Sequence, residues 1–328
     1  MAAKKRPRVV VMGGGTGTFW VTTALKQLPV SITTVIAVSD SGGSTGRIRD
    51  EFGFQPVGDL RQALAALANP GGQEWIKKIL LYRFSKGNGL KGHNLGNLIL
   101  TALQDMTGST GQALAIAEKV FNLQGEVVPV TEQNVNLKIS FTDGTTVIGE
   151  HTLDEHSKAV KTIDHISLVP KCVASQAAVD ALRSAKLIII GPGDYYASLL
   201  ATLVVPGIPE ALAQTRAKII YITNLMTRRT QTHKMTASNH LEGIEKTIGR
   251  KVHFVVVNSA PIPPAIKRAY ASEEEYPIVD DLPNSKKIIR ASLVYESPVQ
   301  KVAADTAYRS LLRHDQKKLQ TVIKSLLP

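Results

Sequence analysis

The stretch "VVVMGGGTGT", residues 9–18, decides the fold of this chain. Residues 9–12 form a short apolar run typical of a buried strand, and glycines crowd the positions that follow. The next residues, "TFWVTTALKQL", carry apolar side chains at helical spacing. A strand, a glycine turn and a helix in this order predict an α/β unit. Backbone N–H groups at a helix N-terminus attract anions, so we expect the turn to bind phosphate.

The glycine turn does not match the dinucleotide fingerprint G-x-G-x-x-G. If Gly13 and Gly15 are taken as the first two glycines, the position of the third is occupied by Thr18. If Gly15 and Gly17 are taken instead, that position is occupied by Trp20. We therefore expect a phosphate-binding turn that is not a standard nicotinamide site, with a tight turn that binds no ligand as the alternative. The turn consists of Gly13, Gly14, Gly15, Thr16 and Gly17.

Composition excludes several classes of protein. The chain has 328 residues, of which 43% are hydrophobic, and this is enough for a large core. Its one cysteine, Cys172, cannot form an internal disulfide or a cysteine metal cluster, which fits a reducing compartment. No apolar run reaches the length of about 18 residues that a transmembrane helix needs. We expect a cytoplasmic protein with no membrane insertion.

The charge is strongly basic, with a net value of +12 and a pI of about 9.7. A basic surface suits anionic partners such as nucleotides. However, the charges are scattered, aromatic residues make up 5% of the chain, and no RNA-binding signature is present. We therefore do not expect nucleic acid to be the main ligand.

Strand-like and helical stretches alternate along most of the chain, which predicts a mostly parallel sheet covered on both faces. Between about residues 125 and 170 the pattern changes to strand-like runs, two of which meet at Asp143-Gly144, a hairpin signal. The sequence thus predicts one domain over residues 1–328. Its expected fold is a Rossmann-like three-layer α/β/α arrangement with a small β-rich insertion. We further expect Asp59 to cap the helix of "DLRQALAALA", and the C-terminal "ADTAYRSLLRHDQKKLQTVIKSLL" to be helical with polar breaks.

Ligands of open α/β sheets bind at the carboxyl ends of the strands. Four polar or glycine-rich stretches follow predicted strands: "GGGTG", "SDSGGSTG", "GPGDYYAS" and "TNLMT". In the second stretch, Asp40 stands where a dinucleotide fold places its ribose-binding acid. It could accept hydroxyl protons or hold Mg²⁺ through water, and an Asx-turn is the structural alternative. The residues expected to form a second anion cradle are Ser41, Gly42, Gly43, Ser44, Thr45 and Gly46.

Two further groups of residues belong to the predicted site. In "KGHNLGNLIL", His93, Asn94 and Asn97 surround a helix start, where an N-cap with a packed glycine is the alternative. The other group is Gly191, Pro192 and Gly193 in a rigid turn, together with Asn224 at the end of a later strand. Asp194 follows that turn and is expected to repel phosphate.

No catalytic triad order, zinc-protease helix or P-loop is present. His151, His156 and His165 have irregular spacing, so we interpret them as surface or core residues and expect no metal site there.

Taken together, these motifs resemble the gluconeogenesis factor family of bacteria, within the CofD-like superfamily of the 2-phospho-lactate transferase. The resemblance covers nearly the whole chain and includes "GGGTG", "VSDSGGSTGRIRDEFGFQPVGDLRQALAALA", "GHNLGNLIL", "GPGDYYASLLATLVVPGIPEAL", "TNLMT" and "LRHDQKKL". It implies binding of a nucleotide or a nucleotide sugar such as UDP-N-acetylglucosamine (UDP-GlcNAc). It also implies a regulatory role that links carbon metabolism with cell shape and wall synthesis.

The chain departs from the family pattern at two places. The family usually reads "NLMTQPGET" where this chain has "NLMTRRTQT", so Arg228 and Arg229 add two positive charges near the expected phosphate site. The family usually has serine where this chain has Asp194. Tyr270, at the end of "PPAIKRAY", is expected to stack on a base, and Arg313, in the family's terminal motif "LRHDQKKL", to pair with a diphosphate. The alternative is that Tyr270 packs in the core and that Arg313 caps a helix or faces solvent.

Three functions follow as hypotheses. The first is a regulator, not an enzyme, that binds a nucleotide sugar and acts with a protein partner in cell-wall or morphogenesis regulation. The second is a phospho-transferase that uses a nucleoside-diphosphate-linked donor and Mg²⁺. The third, an NAD-binding oxidoreductase, is disfavoured by the broken fingerprint. A homodimer is left open.

Overall fold

The computed structural model describes residues 6–40, 42–69, 74–150, 161–295 and 311–328, with the backbone alone for Gly43 and Ser44. In chain order the strands are β1 (Arg8–Gly13), β2 (Ser31–Ile36), β3 (Glu126–Pro129), β4 (Asn136–Phe141), β5 (Thr146–Ile148), β6 (Ile163–Val169), β7 (Leu187–Ile190), β8 (Lys218–Ile222), β9 (Phe254–Asn258) and β10 (Ile288–Ala291).

The helices that precede β7 in the chain are α1 (Gly15–Leu25), α2 (Gly43–Phe52), α3 (Gly58–Leu67), α4 (Glu74–Leu81), α5 (Leu95–Thr107), α6 (Thr110–Val120) and α7 (Gln176–Ser184). A π-helical turn (Tyr195–Leu200) then continues into α8 (Ala201–Leu203). The remaining helices are α9 (Ile208–Gln214), α10 (Arg229–Thr232), α11 (Ala237–Ile248), α12 (Pro264–Ala271) and α13 (Gln316–Leu326).

A seven-stranded parallel sheet forms the centre of the molecule, in the order β10-β9-β8-β7-β1-β2-β3. Helices cover both of its faces. The central strands are runs of valine and isoleucine, and β7 is buried along its whole length. Parallel strands buried on both faces have this continuous apolar pattern. The predicted three-layer fold is therefore confirmed.

The order of the strands determines where a ligand can bind. From β1 the chain proceeds through β2 and β3 to one edge of the sheet, and from β7 through β10 to the other edge. The direction reverses between the neighbouring strands β1 and β7. Ligands of open α/β sheets bind outside the carboxyl ends of the strands at this point of reversal.

A second, antiparallel sheet has the order β5-β4-β6 and contains the hairpin predicted at Asp143-Gly144. Gly144 has a φ of +83°, which glycine adopts readily. The β-rich stretch is divided between the two sheets, since β3 pairs in parallel with β2 and the small sheet spans Asn136–Val169.

One local prediction is wrong. Helix α3 begins at Gly58 with Val57 as its N-cap, so Asp59 lies in the first turn and does not cap the helix. The C-terminal helix is present as α13 (Gln316–Leu326), and residues 304–310 of the predicted stretch lie outside the described residues. Residues 311–315 form a break before this helix: Tyr295 N donates to Arg313 O, and Asp315 N donates to Leu293 O. Pairing with residues 293–295 satisfies backbone groups that a helix would otherwise have used.

No single helix in the described ranges is long and apolar enough to cross a membrane. The segments Tyr195–Leu203 and Ile208–Gln214 together have the length and composition of a span, but they meet at 67°. Their leucines and isoleucines are buried in the core.

Candidate functional site

A cavity of about 180 Å³ lies beyond the carboxyl ends of β1, β7 and β8, where the strand order reverses. Its walls come from the turns after these three strands, from α1 and the end of α12, and from the extended segment before α13. Predicted site residues that line it are Gly15, Thr16, Gly17, Pro192, Gly193, Asn224, Tyr270 and Arg313. Residues separated by about 300 positions in sequence thus meet at one place, as the topology requires.

The glycine turn is shaped by close contacts on two sides. A Cβ atom at Gly17 would lie 2.2 Å from Pro192 O, so glycine lets the first turn of α1 pack directly against the turn after β7. A Cβ at Gly14 would lie 2.2 Å from Asp59 Oδ2. Gly15, with a φ of +63°, has no such neighbour. Gly15 therefore has open space on its Cβ side, while its backbone N–H is bonded to Asp59.

The turn after β7 is fixed by Asn224 from the end of β8. Asn224 Nδ2 donates to Gly193 O at 2.8 Å, and Gly193 N donates to Asn224 Oδ1 at 3.3 Å. Gly191 has a φ of +75°, which only glycine adopts without strain. This pair of hydrogen bonds holds the two turns together at the cavity wall.

Tyr270 and Arg313 both line the cavity, in different surroundings. Tyr270 is buried in a small apolar cluster, and its hydroxyl accepts a hydrogen bond of 3.1 Å from Leu312 N. The guanidinium of Arg313 lies over the ring of Trp20, 5.4 Å from the centroid, a cation–π geometry. Tyr270 thus has a structural role, and its predicted stacking on a base stays a prediction.

Some residues that line the cavity were absent from the predicted site. Trp20 lies one helical turn after Thr16, and this i, i+4 spacing from the glycine turn could have revealed it. His314 follows Arg313 and is buried, and burial lowers its pKa to about 4, so its imidazole is neutral at pH 7. Other such residues are Asp194, Ser198, Leu225, Met226, Thr227, Arg228, Glu275 and Leu312.

Asp40 and the described part of the predicted second cradle do not border this cavity; that part comprises Gly42, Thr45, Gly46 and the backbone of Gly43 and Ser44. Asp40 Oδ1 accepts from Gly42 N at 2.8 Å, the Asx-turn that was the structural alternative. Ser41 lies outside the described residues, and Gly43 and Ser44 belong to the first turn of α2.

The group around His93 supports that second turn. Asn94 caps α5 by accepting from Asn97 N at 3.2 Å, and Asn97 Oδ1 accepts from Arg61 Nε at 2.8 Å. Asn97 Nδ2 donates to Thr45 Oγ1 at 3.3 Å. Both asparagines are buried, whereas His93 is half-buried and its pKa is lowered by burial and by neighbouring arginines. These asparagines join α5 to α3 and α2, away from the cavity.

Carboxyl groups gather beside the glycine turn. Burial raises the pKa of Asp40, Asp59 and Glu150, and repulsion from Asp40 and Asp194 raises the pKa of Asp59 and Glu150 further. The pKa of Asp59 reaches about 7, and the side chain of Glu150 is hydrogen-bonded to Asp40. Asp59 accepts a hydrogen bond from Gly15 N and therefore links the turn to this group. A carboxyl group with a pKa near 7 is a candidate for proton transfer or cation binding.

Mg²⁺ usually binds proteins through one or two carboxylates and the phosphates of its ligand. The half-buried carboxyls of Asp40 and Asp59 fit that mode, because a cation between them would relieve their repulsion. Within the described ranges, no three histidine, cysteine, aspartate or glutamate side chains are placed to hold a metal ion.

The other residues considered from the sequence lie elsewhere. Cys172 is buried, and burial raises the pKa of its thiol, which makes it unreactive. His165 is exposed, with Nδ1 2.8 Å from Asp164 Oδ2. His151 and His156 lie outside the described residues.

Known proteins resemble the chain over almost its whole length. Residues 9–296 match the family described as "2-phospho-L-lactate transferase CofD". The "Gluconeogenesis factor" of Bacillus subtilis is 36% identical over 332 residues, covering 98% of this chain and 99% of that protein. The "Gluconeogenesis factor" of Halalkalibacterium halodurans is 39% identical over 279 residues, covering 84% and 85% respectively.

A solved structure supports the same relationship. The crystal structure of protein BH3568 from Bacillus halodurans superposes with a TM-score of 0.87 and 35% sequence identity, covering 98% of this chain and 100% of that one. With the fold, the matched motifs and these relatives in agreement, the chain belongs to the gluconeogenesis factor family, within the CofD group of proteins.

Proposed function

We propose that this protein binds a nucleotide sugar of the UDP-GlcNAc type and acts as a regulator in the cytoplasm. The cavity between β1 and β7 is the observation that carries the proposal. It combines the backbone of two glycine turns with the guanidinium of Arg313 over Trp20. Glycine turns suit phosphates, and arginine binds diphosphates through parallel hydrogen bonds.

The size of the cavity limits how the ligand fits. Sites that enclose a whole drug-sized ligand measure roughly 300–1,000 Å³, so about 180 Å³ holds only part of a nucleotide sugar. In our proposal the diphosphate and one adjoining ring occupy the cavity. The remainder extends past Gly15 toward Asp59.

The regulatory part of the proposal rests on the relatives. Proteins named "Gluconeogenesis factor" align with this chain from end to end. We propose that occupancy by the nucleotide sugar reports the supply of carbon to a protein partner involved in cell shape and wall synthesis.

The alternative is a phospho-transferase of the 2-phospho-lactate transferase type, supported by the family match and by the carboxyls beside the glycine turn. In that reading Asp40 and Asp59 hold Mg²⁺ against the phosphates of a nucleoside-diphosphate-linked donor. The metal would supply charge neutralisation.

Calorimetric titration with UDP-GlcNAc, UDP-glucose, GDP and NAD tests the binding proposal. The Arg313→Ala variant should bind UDP-GlcNAc about tenfold more weakly, a loss of about 1.4 kcal/mol. Melting of the free variant identifies any general loss of structure. Arg313 suits this test better than Gly15, where the φ of +63° makes any side chain strained. If the wild-type protein bound none of these four nucleotides, the proposal would be refuted.

A turnover experiment separates the regulator from the transferase. The protein is incubated with UDP-GlcNAc, Mg²⁺ and 2-phospho-lactate or lactate as acceptor, and the nucleotides are separated by chromatography. We expect the nucleotide sugar to remain intact. Stoichiometric release of UMP, with the sugar phosphate joined to the acceptor, would favour the transferase, whereas release of UDP would report transfer or hydrolysis of the sugar alone.

A further inference from the structure

The turns after β7 and β8 are joined by an ion pair at the cavity wall. Arg228 Nη1 lies 2.7 Å from Asp194 Oδ2, and both residues line the cavity. The arginine side chain is 19% exposed and the aspartate side chain 40% exposed. Side chains from the turns after two neighbouring strands are therefore in direct contact.

The backbones on both sides of this ion pair are fixed. Arg228 N donates to Thr232 Oγ1 at 2.8 Å, and Arg228 O accepts from Thr232 N at 2.8 Å. On the other side, Asn224 bonds twice to Gly193. Any rearrangement at this wall therefore involves the two charged side chains and leaves the turns in place.

The carboxylate of Asp194 is not needed for the helix that follows it. Asp194 is the N-cap residue of the π-helical turn Tyr195–Leu200, yet its side chain makes no capping hydrogen bond. Aspartate at this position commonly accepts from an N–H of the first turn. Here the carboxylate is directed to Arg228 instead.

The charges of Asp194 and Arg228 act on the neighbouring carboxyls. Its charge raises the pKa of Asp59 and of Glu150, while the charge of Arg228 lowers the pKa of Glu150. Arg228 is thus a cation placed between carboxylates. An anion entering the cavity meets Asp194 as a repelling charge and Arg228 as a partner.

We infer that Arg228 is an anion-binding side chain of this cavity and that Asp194 is its internal competitor. Binding of a phosphate group transfers the guanidinium from the carboxylate to the phosphate. The exchange is favourable because a guanidinium binds phosphate oxygens in a bidentate manner, whereas a partly exposed ion pair contributes little stability. The inference rests on the proposed function in taking the anion to be the diphosphate of a nucleotide ligand.

Two substitutions should act in opposite directions. We expect Arg228→Gln to weaken binding of the anion about tenfold, because the cation is lost. We expect Asp194→Asn to strengthen binding about threefold, because the competitor and its repulsion are removed at constant side-chain size. If Asp194 instead served to position Arg228, both substitutions would weaken binding.

Arg229→Gln is the matched control. Arg229 is the next residue, carries the same charge and lies with Nε 2.8 Å from Glu274 Oε2, but it does not line the cavity. Its removal changes the net charge equally and should leave the affinity within about twofold.

The experiment is calorimetric titration of the four proteins with inorganic pyrophosphate, UDP, UDP-GlcNAc and uridine, with melts of the free variants. Opposite effects of Arg228→Gln and Asp194→Asn on pyrophosphate and UDP, with no effect on uridine, support the inference. Three results would each overturn it. The first is that the wild-type protein binds neither pyrophosphate nor UDP. The second is that Asp194→Asn weakens binding of these anions, and the third is that Arg229→Gln weakens it as much as Arg228→Gln does. Pyrophosphate binding with the expected pattern but no added affinity for nucleotides would refute the proposed function and leave the inference standing.

Discussion

Replacing Asp59 with asparagine should stabilise the free protein at neutral pH and leave it nearly unchanged in acid. Asp59 is confined between the glycine turn and Asp40, and burial followed by repulsion from Asp40 and Asp194 raises its pKa from 3.8 to about 7. A carboxyl whose pKa is raised on folding binds its proton more tightly in the native state. Below about pH 4 the side chain is protonated in both states, so its ionisation has no effect there.

As the pH rises from about 4 to about 7, the unfolded chain ionises while the native side chain keeps its proton. The free energy of unfolding therefore falls with pH across this window and levels off above it. A shift of about three pKa units corresponds to about 4 kcal/mol. Because Asp59 is partly exposed and shares its titration with Asp40, we expect about half of that, about 2 kcal/mol at pH 8.

The assay is urea unfolding of the wild-type and Asp59→Asn proteins at intervals between pH 4 and pH 8. The variant should match the wild type at pH 4 and exceed it by about 2 kcal/mol at pH 8. Asp105→Asn, at an exposed position on α5, is the control and should change the free energy of unfolding by no more than about 0.5 kcal/mol. Glu118, whose pKa is also raised to about 7, is present in all three proteins and cancels in the comparison. A variant less stable than the wild type at pH 8, or a difference independent of pH, would refute this reasoning.

Two further substitutions test the packing of the site. Gly17→Ala places a Cβ 2.2 Å from Pro192 O and should lower the free energy of unfolding by about 1–3 kcal/mol, measured by urea unfolding; an unchanged midpoint would show that the two turns separate freely. Tyr270→Phe removes the acceptor for Leu312 N and should lower the free energy of unfolding by about 1 kcal/mol; a variant as stable as the wild type would show that this buried hydrogen bond contributes nothing.

The sequence by itself determined the layered fold and one wall of the site. Apolar runs such as residues 9–12 must be buried on both faces, and the glycine turn that follows can only end a strand and begin a helix. These are local constraints, because they depend on the side chains of a few neighbouring residues. The same is true of the hairpin at Asp143-Gly144, where the turn chemistry lies within the two residues.

Only the tertiary structure decided which polar residues meet. It brought Gly17 against Pro192 and Arg313 over Trp20, and it separated the described part of the second glycine-rich turn from the cavity. It also paired Asp194 with Arg228, which lie in two separate motifs of the sequence. Contacts of this kind depend on strand order and on the distance between turns far apart in the chain. Neither quantity is encoded in a local pattern, so side-chain chemistry alone could not predict them.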